Sequence, residues 1–353
     1  MKRNELMTRL RQGVLIYGVS IGLAIALILL VLGLFGYDVV RAFRGLFFTS
    51  FRSAFGFQET IKKAIPLIFT TYAFTIPFMI KFFNIGGWGQ MLFGGTVVTV
   101  VGLVLAPVGL PAVVMIPLLI IVGMAAGALI AGVAGYLKAY HDINPIISTI
   151  MLNFVAFYFV NFVATAGPFK DPTEGHPITI PLPASATLGF WWGIPQSVLV
   201  ALLAVVFVYA LLDRTRLGYE IRAVGHNQEA AETYGINFRR TILLTFALGG
   251  ALGGLAGTFE VINIHGKLIE GFAKTSGAQY GILGILTSLL VAGNPAAVPV
   301  AAFFMSVLLV GADSLQRTMQ VPVEMVFVSQ AVIVLTIVVL RGRMSRARDA
   351  RSK

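Results

Sequence analysis

The sequence predicts an all-α polytopic membrane protein with about ten transmembrane helices. Of its 353 residues, 57% are hydrophobic and only 12% are charged, and the mean hydropathy is +0.87. Soluble domains carry about 25% charged residues. Uncharged stretches such as residues 82–137 and 275–312 are each long enough for more than one span of about 20 residues. The composition excludes a globular soluble enzyme and predicts a single transmembrane domain over residues 1–353, embedded in the lipid bilayer.

Breaks in the apolar pattern divide these stretches into spans. Proline and glycine at residues 107–111 and 293–295 cannot continue a helix, so each of the two longest runs contains two spans. Four prolines confine the span of residues 175–212 to its second half. The eighth and tenth spans are short, which leaves tilted or re-entrant segments open. The predicted spans lie near 13–35, 64–82, 88–106, 112–133, 145–166, 196–212, 241–262, 281–293, 296–312 and 325–340.

Lys and Arg predict the orientation because they collect on the cytoplasmic side of membrane proteins. With both termini inside, that side receives four in the N-tail (1–12), Lys81, Lys138, five in the loop 213–240 and six in the basic C-tail (341–353). The other side receives nine, five of them in residues 41–63, which we interpret as an amphipathic surface helix. The net charge of +11 is therefore explained by topology, and nucleic acid is not a predicted partner. We expect a multi-pass protein of the cell (inner) membrane with cytoplasmic N- and C-termini.

Signatures of catalysis are absent from the sequence. It has no cysteine, its four histidines are far apart, and it has neither a nucleophile elbow nor a phosphate-binding P-loop. No catalytic residue, cofactor or metal ligand is predicted. Glu260 is the one carboxylate within a predicted span. Three roles stay open for it: a residue that reaches water at the outer end, part of a substrate gate, and ion coupling.

Amide side chains mark the predicted substrate pathway. Asn84, Gln90 and Asn153 fall in apolar surroundings, where an amide is costly unless it meets a partner or water. The glycines of residues 84–90 predict a broken helix between the second and third spans. An amide facing a water-filled path could bind a neutral hydroxylated solute. The alternative is hydrogen bonding between helices.

Small residues recur every fourth position in two predicted spans, which gives each helix a smooth ridge for a neighbour. Packing inside one subunit is the favoured interpretation, and a dimer interface is the alternative. The ridges consist of Gly123, Gly127, Ala131 and Gly135, and of Gly249, Gly253 and Gly257 beside Gly250 and Gly254.

The loop 213–240 predicts a short helix outside the membrane. Asn227 is the predicted N-cap, Glu229 lies in the first turn, and Gly235 is the predicted left-handed terminator. Two turns give a length of about 11 Å. Such a helix could simply close a loop, or it could be a ridge on which Ala230 and Ala231 permit close contact with a cytoplasmic partner.

This loop resembles the Glu-Ala-Ala-type coupling segment of permeases from ABC importers, in the branch that handles branched-chain amino acids, ribose-like sugars and nucleosides. Residues 83–91 (FNIGGWGQM) and 144–153 (NPIISTIMLN) resemble two further blocks of that branch, and residues 218–225 (GYEIRAVG) precede the coupling helix as in the family. Trp88 stands where the family commonly has an acidic residue, and Pro145 where it often has Glu. The resemblance extends from about residue 60 to 340.

The resemblance implies a type II ABC importer-like permease for a nucleoside or simple sugar. It assigns ATPase coupling to Asn227, Glu229, Ala230, Ala231 and Gly235. The implied partners are ABC ATPase subunits, a second permease subunit in a heterodimer or homodimer, an extracytoplasmic solute-binding protein and a small neutral solute. The nature of the solute stays open. The alternatives are a secondary active transporter of a small neutral solute and a membrane-embedded enzyme or assembly factor.

Overall fold

The computed structural model describes residues 29–270 and 277–322, together with isolated positions at 22, 25–26 and between 325 and 339. The chain divides into two compact units. Residues 61–303 form one unit, and residues 1–60 with 304–353 form the other. Most of the first predicted span (13–35) and of the last (325–340) lies outside the described residues, although residues 29–34 are helical.

The described part of the chain is predominantly α-helical, as predicted. A two-stranded antiparallel hairpin, β1 (Phe190–Trp191) with β2 (Ile194–Pro195), was not predicted. The helices are α1 (Val39–Arg52), α2 (Ala54–Met79), α3 (Gly87–Val104), α4 (Ala112–His141), α5 (Pro145–Thr165), α6 (Ser197–Arg214), α7 (Arg216–His226), α8 (Gln228–Thr233), α9 (Phe238–Phe259), α10 (Ala278–Leu290) and α11 (Val298–Met319).

Six helical segments of the described residues are long and apolar enough to cross a membrane: 87–108, 112–141, 145–165, 197–214, 238–265 and 295–319. The predicted total of about ten spans is not confirmed. The predicted span 64–82 lies largely within α2, where Lys62 and Lys63 in the first half of the helix lower its hydropathy. The predicted span 281–293 overlaps α10, which has only 13 residues. At 1.5 Å per residue, α10 is about 20 Å long and is shorter than the hydrocarbon core.

The predicted helix breaks are confirmed by the backbone. After α3, a 3₁₀ turn (Ala106–Val108) ends at Gly109 with φ +68°, and α4 begins at Ala112. After α10, Gly293 has φ +69° and the Asn294 side chain accepts a hydrogen bond from the Ala296 N–H at 3.1 Å. Proline at the first turn then opens the segment 295–319. Both turns follow from local sequence, because glycine adopts the positive φ and proline starts the next helical segment.

The core of the 61–303 unit is built on direct backbone contact between glycine-rich helices. A Cβ on Gly127 of α4 would overlap the Gly250 carbonyl oxygen of α9, and one on Gly254 would overlap the Gly123 carbonyl oxygen. Helix α3 joins the same core, because a Cβ on Gly94 would lie 2.6 Å from the Gly254 Cα. The predicted small-residue ridges therefore pack against each other within the chain.

The other unit contains α1 and the later turns of α11. The side chain of Asp38 caps α1 by accepting from the Val40 and Arg41 N–H groups at 2.9 and 3.0 Å. Ala42, Leu46 and Ser50 are buried at a spacing of four residues, so α1 is amphipathic, as the sequence predicts for residues 41–63.

One end of the 61–303 unit gathers three segments that the charge count places on one side. The Lys138 ammonium lies 5.1 Å from the centroid of the Phe82 ring, and Phe82 lies 6.3 Å from Phe238. The Arg239 guanidinium lies 5.4 Å from the Tyr140 ring. We call this end, formed by residues 79–82, 138–142 and 212–240, the loop end.

The opposite end is formed by residues 166–196 and 260–270, which are held together by backbone and amide hydrogen bonds. The Asn263 side chain accepts from the Ser197 N–H at 2.9 Å and donates to the Leu188 and Gly189 carbonyl oxygens at 3.2 and 3.0 Å. On this surface the Thr173 hydroxyl donates to Asp171 and holds the pKa of that carboxyl below its ordinary value.

We predict that Gly127→Ala lowers the free energy of unfolding by about 1–3 kcal/mol, because the added methyl group forces α4 and α9 apart. Gly132→Ala on the same helix is the matched control, since its added methyl group meets nothing within 4 Å. The control leaves stability unchanged or raises it by up to about 1 kcal/mol. Thermal unfolding of the purified protein in detergent measures both variants, and equal midpoints would contradict the packing described here.

Candidate functional site

A non-helical segment between α2 and α3 carries the first part of the predicted site. Helix α2 ends at Met79 and α3 begins at Gly87, so a break is present at residues 80–86; the predicted range 84–90 was too late, because residues 87–90 already form the first turn of α3. Inside it, Lys81 has φ +63°. Asn84 is fully buried and donates to the Ala73 carbonyl oxygen of α2 at 2.9 Å. The Asn84 side-chain oxygen accepts from the Gly86 N–H at 3.0 Å.

The structure brings the three predicted pathway amides together. The Gln90 side-chain NH₂ donates to the Asn84 side-chain oxygen at 3.0 Å. Asn153 of α5 accepts from the Gly89 N–H at 2.8 Å and donates to the Ile85 carbonyl oxygen at 3.0 Å. We call Asn84, Gln90 and Asn153 with these backbone partners the amide cluster. It satisfies the backbone groups that the helix break would otherwise leave unpaired.

Packing around the amide cluster is tight. The crevice between α3 and α5 is lined by Gly86, Gly89, Gln90, Thr149 and Asn153 and leaves no room for a water molecule. Thr149 was not predicted, yet its hydroxyl accepts from the Ile85 N–H at 3.2 Å. In this conformation the amide cluster holds the broken segment in place by hydrogen bonds. Each of its three amide residues is at most 5% exposed.

The short helix predicted in the loop 213–240 is confirmed as α8, and its caps are those the sequence indicates. The Asn227 side chain accepts from the Ala230 N–H at 3.1 Å, and Glu229 lies in the first turn. Gly235 has φ +81°, its N–H donates to the Glu232 carbonyl oxygen at 2.9 Å, and the Ile236 N–H donates to the Ala231 carbonyl oxygen at 3.0 Å. This pair of bonds is a Schellman motif, which stops the helix after six residues.

The two alanines of α8 have different surroundings. Ala230 is exposed, whereas Ala231 is only 4% exposed and packs inward. The outward surface carries Glu229, Ala230, Glu232 and, at the C-terminal end, Tyr234, which is 87% exposed. We call these residues the α8 ridge. A side chain larger than alanine at 231 would displace the helix, whereas position 230 is free to contact a partner.

Helix α7 connects α8 to the break and was missed from the sequence. It begins at Thr215, whose hydroxyl accepts from the Gly218 N–H at 3.2 Å, and its apolar positions Ile221 and Val224 are buried. A Cβ on Gly225 would overlap the Met79 carbonyl oxygen at the end of α2. The loop 213–240 therefore rests directly on the residue that precedes the break, and four residues separate Met79 from Asn84.

Glu260 does not reach water at the membrane boundary. It is 5% exposed, begins a π-helical turn (Glu260–His265), and its carboxylate lies 3.3 Å from the His265 Nε2. Of the three roles left open, this burial disfavours a residue that faces solvent. Among the residues the structure describes, no group of three His, Asp or Glu side chains is arranged to hold a metal ion.

Comparison with known proteins decides what kind of protein carries this site. The model of the family described as branched-chain amino acid transport system / permease component matches residues 56–340. The chain belongs to this family. It is a multi-pass membrane permease, a transport subunit and not an enzyme, so the resemblance seen in the sequence is confirmed. No solved structure matches the chain.

Curated relatives of the permease match almost end to end. A glucose ABC transporter permease of Haloferax volcanii is 33% identical, with 85% of this chain and 80% of the relative covered. A nucleoside ABC transporter permease of Lactococcus lactis is 30% identical, covering 86% and 85%. A guanosine ABC transporter permease of Bacillus subtilis is 31% identical, covering 91% and 90%. These relatives belong to ATP-driven transporters, and nothing in the comparisons favours the secondary active transporter.

We predict that Asn153→Leu lowers the free energy of unfolding by about 1–3 kcal/mol, because it leaves the Gly89 N–H and the Ile85 carbonyl oxygen unpaired. Asn161→Leu on the same helix is the control, since the Asn161 side-chain oxygen is buried and has no hydrogen-bond partner. That control variant costs less stability. Thermal unfolding in detergent compares the two, and a larger loss in Asn161→Leu would contradict the bracing role of the amide cluster.

Proposed function

We propose that this permease forms half of the transmembrane path of an ATP-driven importer for a nucleoside or simple sugar. Family membership supports transport, and the relatives that match over most of both chains carry glucose, nucleoside and guanosine in their names. Its fold is a type II ABC importer-like domain over residues 1–353 with about ten spans and both termini in the cytoplasm. The excess of Lys and Arg in the tails and the loop 213–240 supports this orientation.

The observation that carries the proposal is the α8 ridge. A six-residue helix is too short to be stable alone, yet α8 is capped at both ends and rests on the buried Ala231. We assign Asn227 and Gly235 to defining the helix, Ala231 to fixing it, and Glu229 and Ala230 to contacting a cytoplasmic ABC ATPase. Tyr234 adds an exposed aromatic side chain of the kind that dominates protein interfaces.

Force from the ATPase reaches the substrate path through α7. Closure of the ATPase on nucleotide pushes the α8 ridge, α7 transmits the push through the contact of Gly225 with Met79, and the break at residues 80–86 moves. Asn84, Gln90 and Asn153 then border the path between this permease and a second permease subunit. In the conformation described here the three amides bond to one another and to the backbone. In the alternate conformation they would bond to other partners, so that the path opens first to one side of the membrane and then to the other.

An extracytoplasmic solute-binding protein supplies most of the affinity in this scheme. The amide cluster is tightly packed and neutral, so among the described residues it offers no charge with which to hold an ionic substrate. This supports a permease that binds its solute weakly. A neutral hydroxylated solute matches amide donors and acceptors without ion pairing. The path is consequently expected to be less selective than the binding protein.

We predict that Ala230→Arg weakens ATPase association at least about tenfold, a loss of about 1.4 kcal/mol in binding, and reduces solute uptake with it. The long cationic side chain prevents close approach at the α8 ridge. The control is Gly175→Arg, an exposed position at the opposite end whose added atoms meet nothing within 4 Å. Co-purification with the ATPase and uptake into proteoliposomes measure both variants.

Retained ATPase association in Ala230→Arg would refute the docking role. Ala231→Arg is unsuitable for this purpose, because it disturbs a buried position and would fail for structural reasons.

We predict that proteoliposomes containing the complete importer take up labelled guanosine or glucose only when ATP and the solute-binding protein are both present. An unlabelled solute of the same class competes, and a zwitterionic branched-chain amino acid does not, because the amide cluster offers no counter-ion to its ammonium or carboxylate group. Uptake that needs a proton gradient and no ATP would overturn the importer assignment.

A further inference from the structure

The loop end contains an open cavity of about 480 Å³ lined by Met79, Lys81, Arg222, Gly225 and His226. Three of these five residues carry basic side chains, and none is acidic. The lining comes from two separate parts of the chain, the break after α2 and helix α7. We call this cavity the basic pocket. Neither the coupling helix nor the amide cluster uses these three basic side chains.

The available charge in the basic pocket belongs mainly to Lys81. Arg222 donates to the Leu212 carbonyl oxygen and pairs with the Asp213 carboxylate at 3.5 Å, so part of its charge is neutralised. The His226 Nδ1 lies 2.8 Å from the Arg222 carbonyl oxygen, which can only accept, so that nitrogen donates and Nε2 is left for another partner. Lys81 is exposed, and its left-handed backbone conformation ends the turn after α2.

The depth of the basic pocket corresponds to the boundary between hydrocarbon and water. Helix α2 ends at Met79, and the apolar span α6 ends at Arg214, two residues beyond the carbonyl oxygen that Arg222 contacts. Helix α6 exposes apolar side chains to its surroundings along most of its length, including Leu202, Leu203, Val206 and Phe207. This surface suits acyl chains, and the level at which it ends is that of lipid headgroups.

We propose that the basic pocket binds the phosphate of an anionic phospholipid, with Lys81 as the principal donor and Arg222 and His226 as neighbours. Basic pockets at the ends of membrane helices attract acidic headgroups. The Met79 side chain gives the pocket an apolar wall that a lipid glycerol backbone can cover and that a hydrated free phosphate would not favour. Because Gly225 and Met79 line the pocket and also touch each other, a bound lipid would stiffen the connection between α7 and the break.

The test measures phosphatidylglycerol binding to the full-length permease in detergent, by native mass spectrometry and by the shift in thermal midpoint. We expect phosphatidylglycerol, and not phosphatidylcholine, to stabilise the wild type. Lys81→Gln weakens apparent binding at least about fivefold, and Lys81→Arg restores it. Lys170→Gln is the matched control, because Lys170 is an exposed lysine that follows the far end of α5, and it binds like the wild type.

Three results would overturn the proposal. Equal phosphatidylglycerol binding by Lys81→Gln and Lys170→Gln would show that the basic pocket is not the site. An equal thermal shift from millimolar inorganic phosphate would assign the pocket to a free anion. Loss of ATPase capture by Lys81→Gln in lipid-free detergent, with lipid binding unchanged, would assign it to an acidic side chain of the ATPase. Since lipid binding is measured on the permease alone, its outcome is independent of the importer proposal.

Discussion

Direct contact between the backbones of α4 and α9 is the constraint on which the 61–303 unit depends. Gly127 faces the Gly250 carbonyl oxygen, Gly254 faces the Gly123 carbonyl oxygen, and Gly94 faces the Cα of Gly254. Three helices meet there at distances that exclude any Cβ. In a bilayer, where lipid is as apolar as leucine, such close packing supplies much of the association energy of helices. The glycine core therefore holds α3 in the position from which its first turn can reach α5.

The amide cluster depends on that position. The N-terminus of α3 exposes backbone N–H groups that no helical partner can satisfy. Asn153 from α5 meets the Gly89 N–H, while Asn84 meets the Gly86 N–H and Gln90. Unpaired groups at this depth would each be costly, so the three amides and the break support one another. A cluster of neutral hydrogen bonds can exchange partners during a conformational change without moving a charge through the membrane.

The features that were predicted correctly from the sequence are those determined by neighbouring residues. The caps of α8 at Asn227 and Gly235, the breaks near Gly109 and Gly293, and the amphipathic character of α1 follow from residues within a few positions of each feature. Features set by distant partners were not predicted. Helix α7 has a largely polar sequence, and the burial of its apolar residues Ile221 and Val224 follows only from packing against other helices, as does the burial of Ala231. The hydrogen bond from the Gly89 N–H to Asn153 joins positions 64 residues apart, so the residue types could be read from the sequence and their bonds could not.

The loop 213–240 has two distinct surfaces: the outward side of α8, and the junction at which Gly225 contacts the Met79 carbonyl oxygen. The α8 ridge presents exposed side chains, which in the proposed importer would contact the ATPase, whereas the junction with α2 is made by main-chain atoms and by a glycine that has no side chain. Changes to the outward residues of α8 can alter partner choice while leaving the junction intact. A transporter built this way could come to bind a different ATPase through surface substitutions alone, because the contact inside the permease is made by backbone atoms.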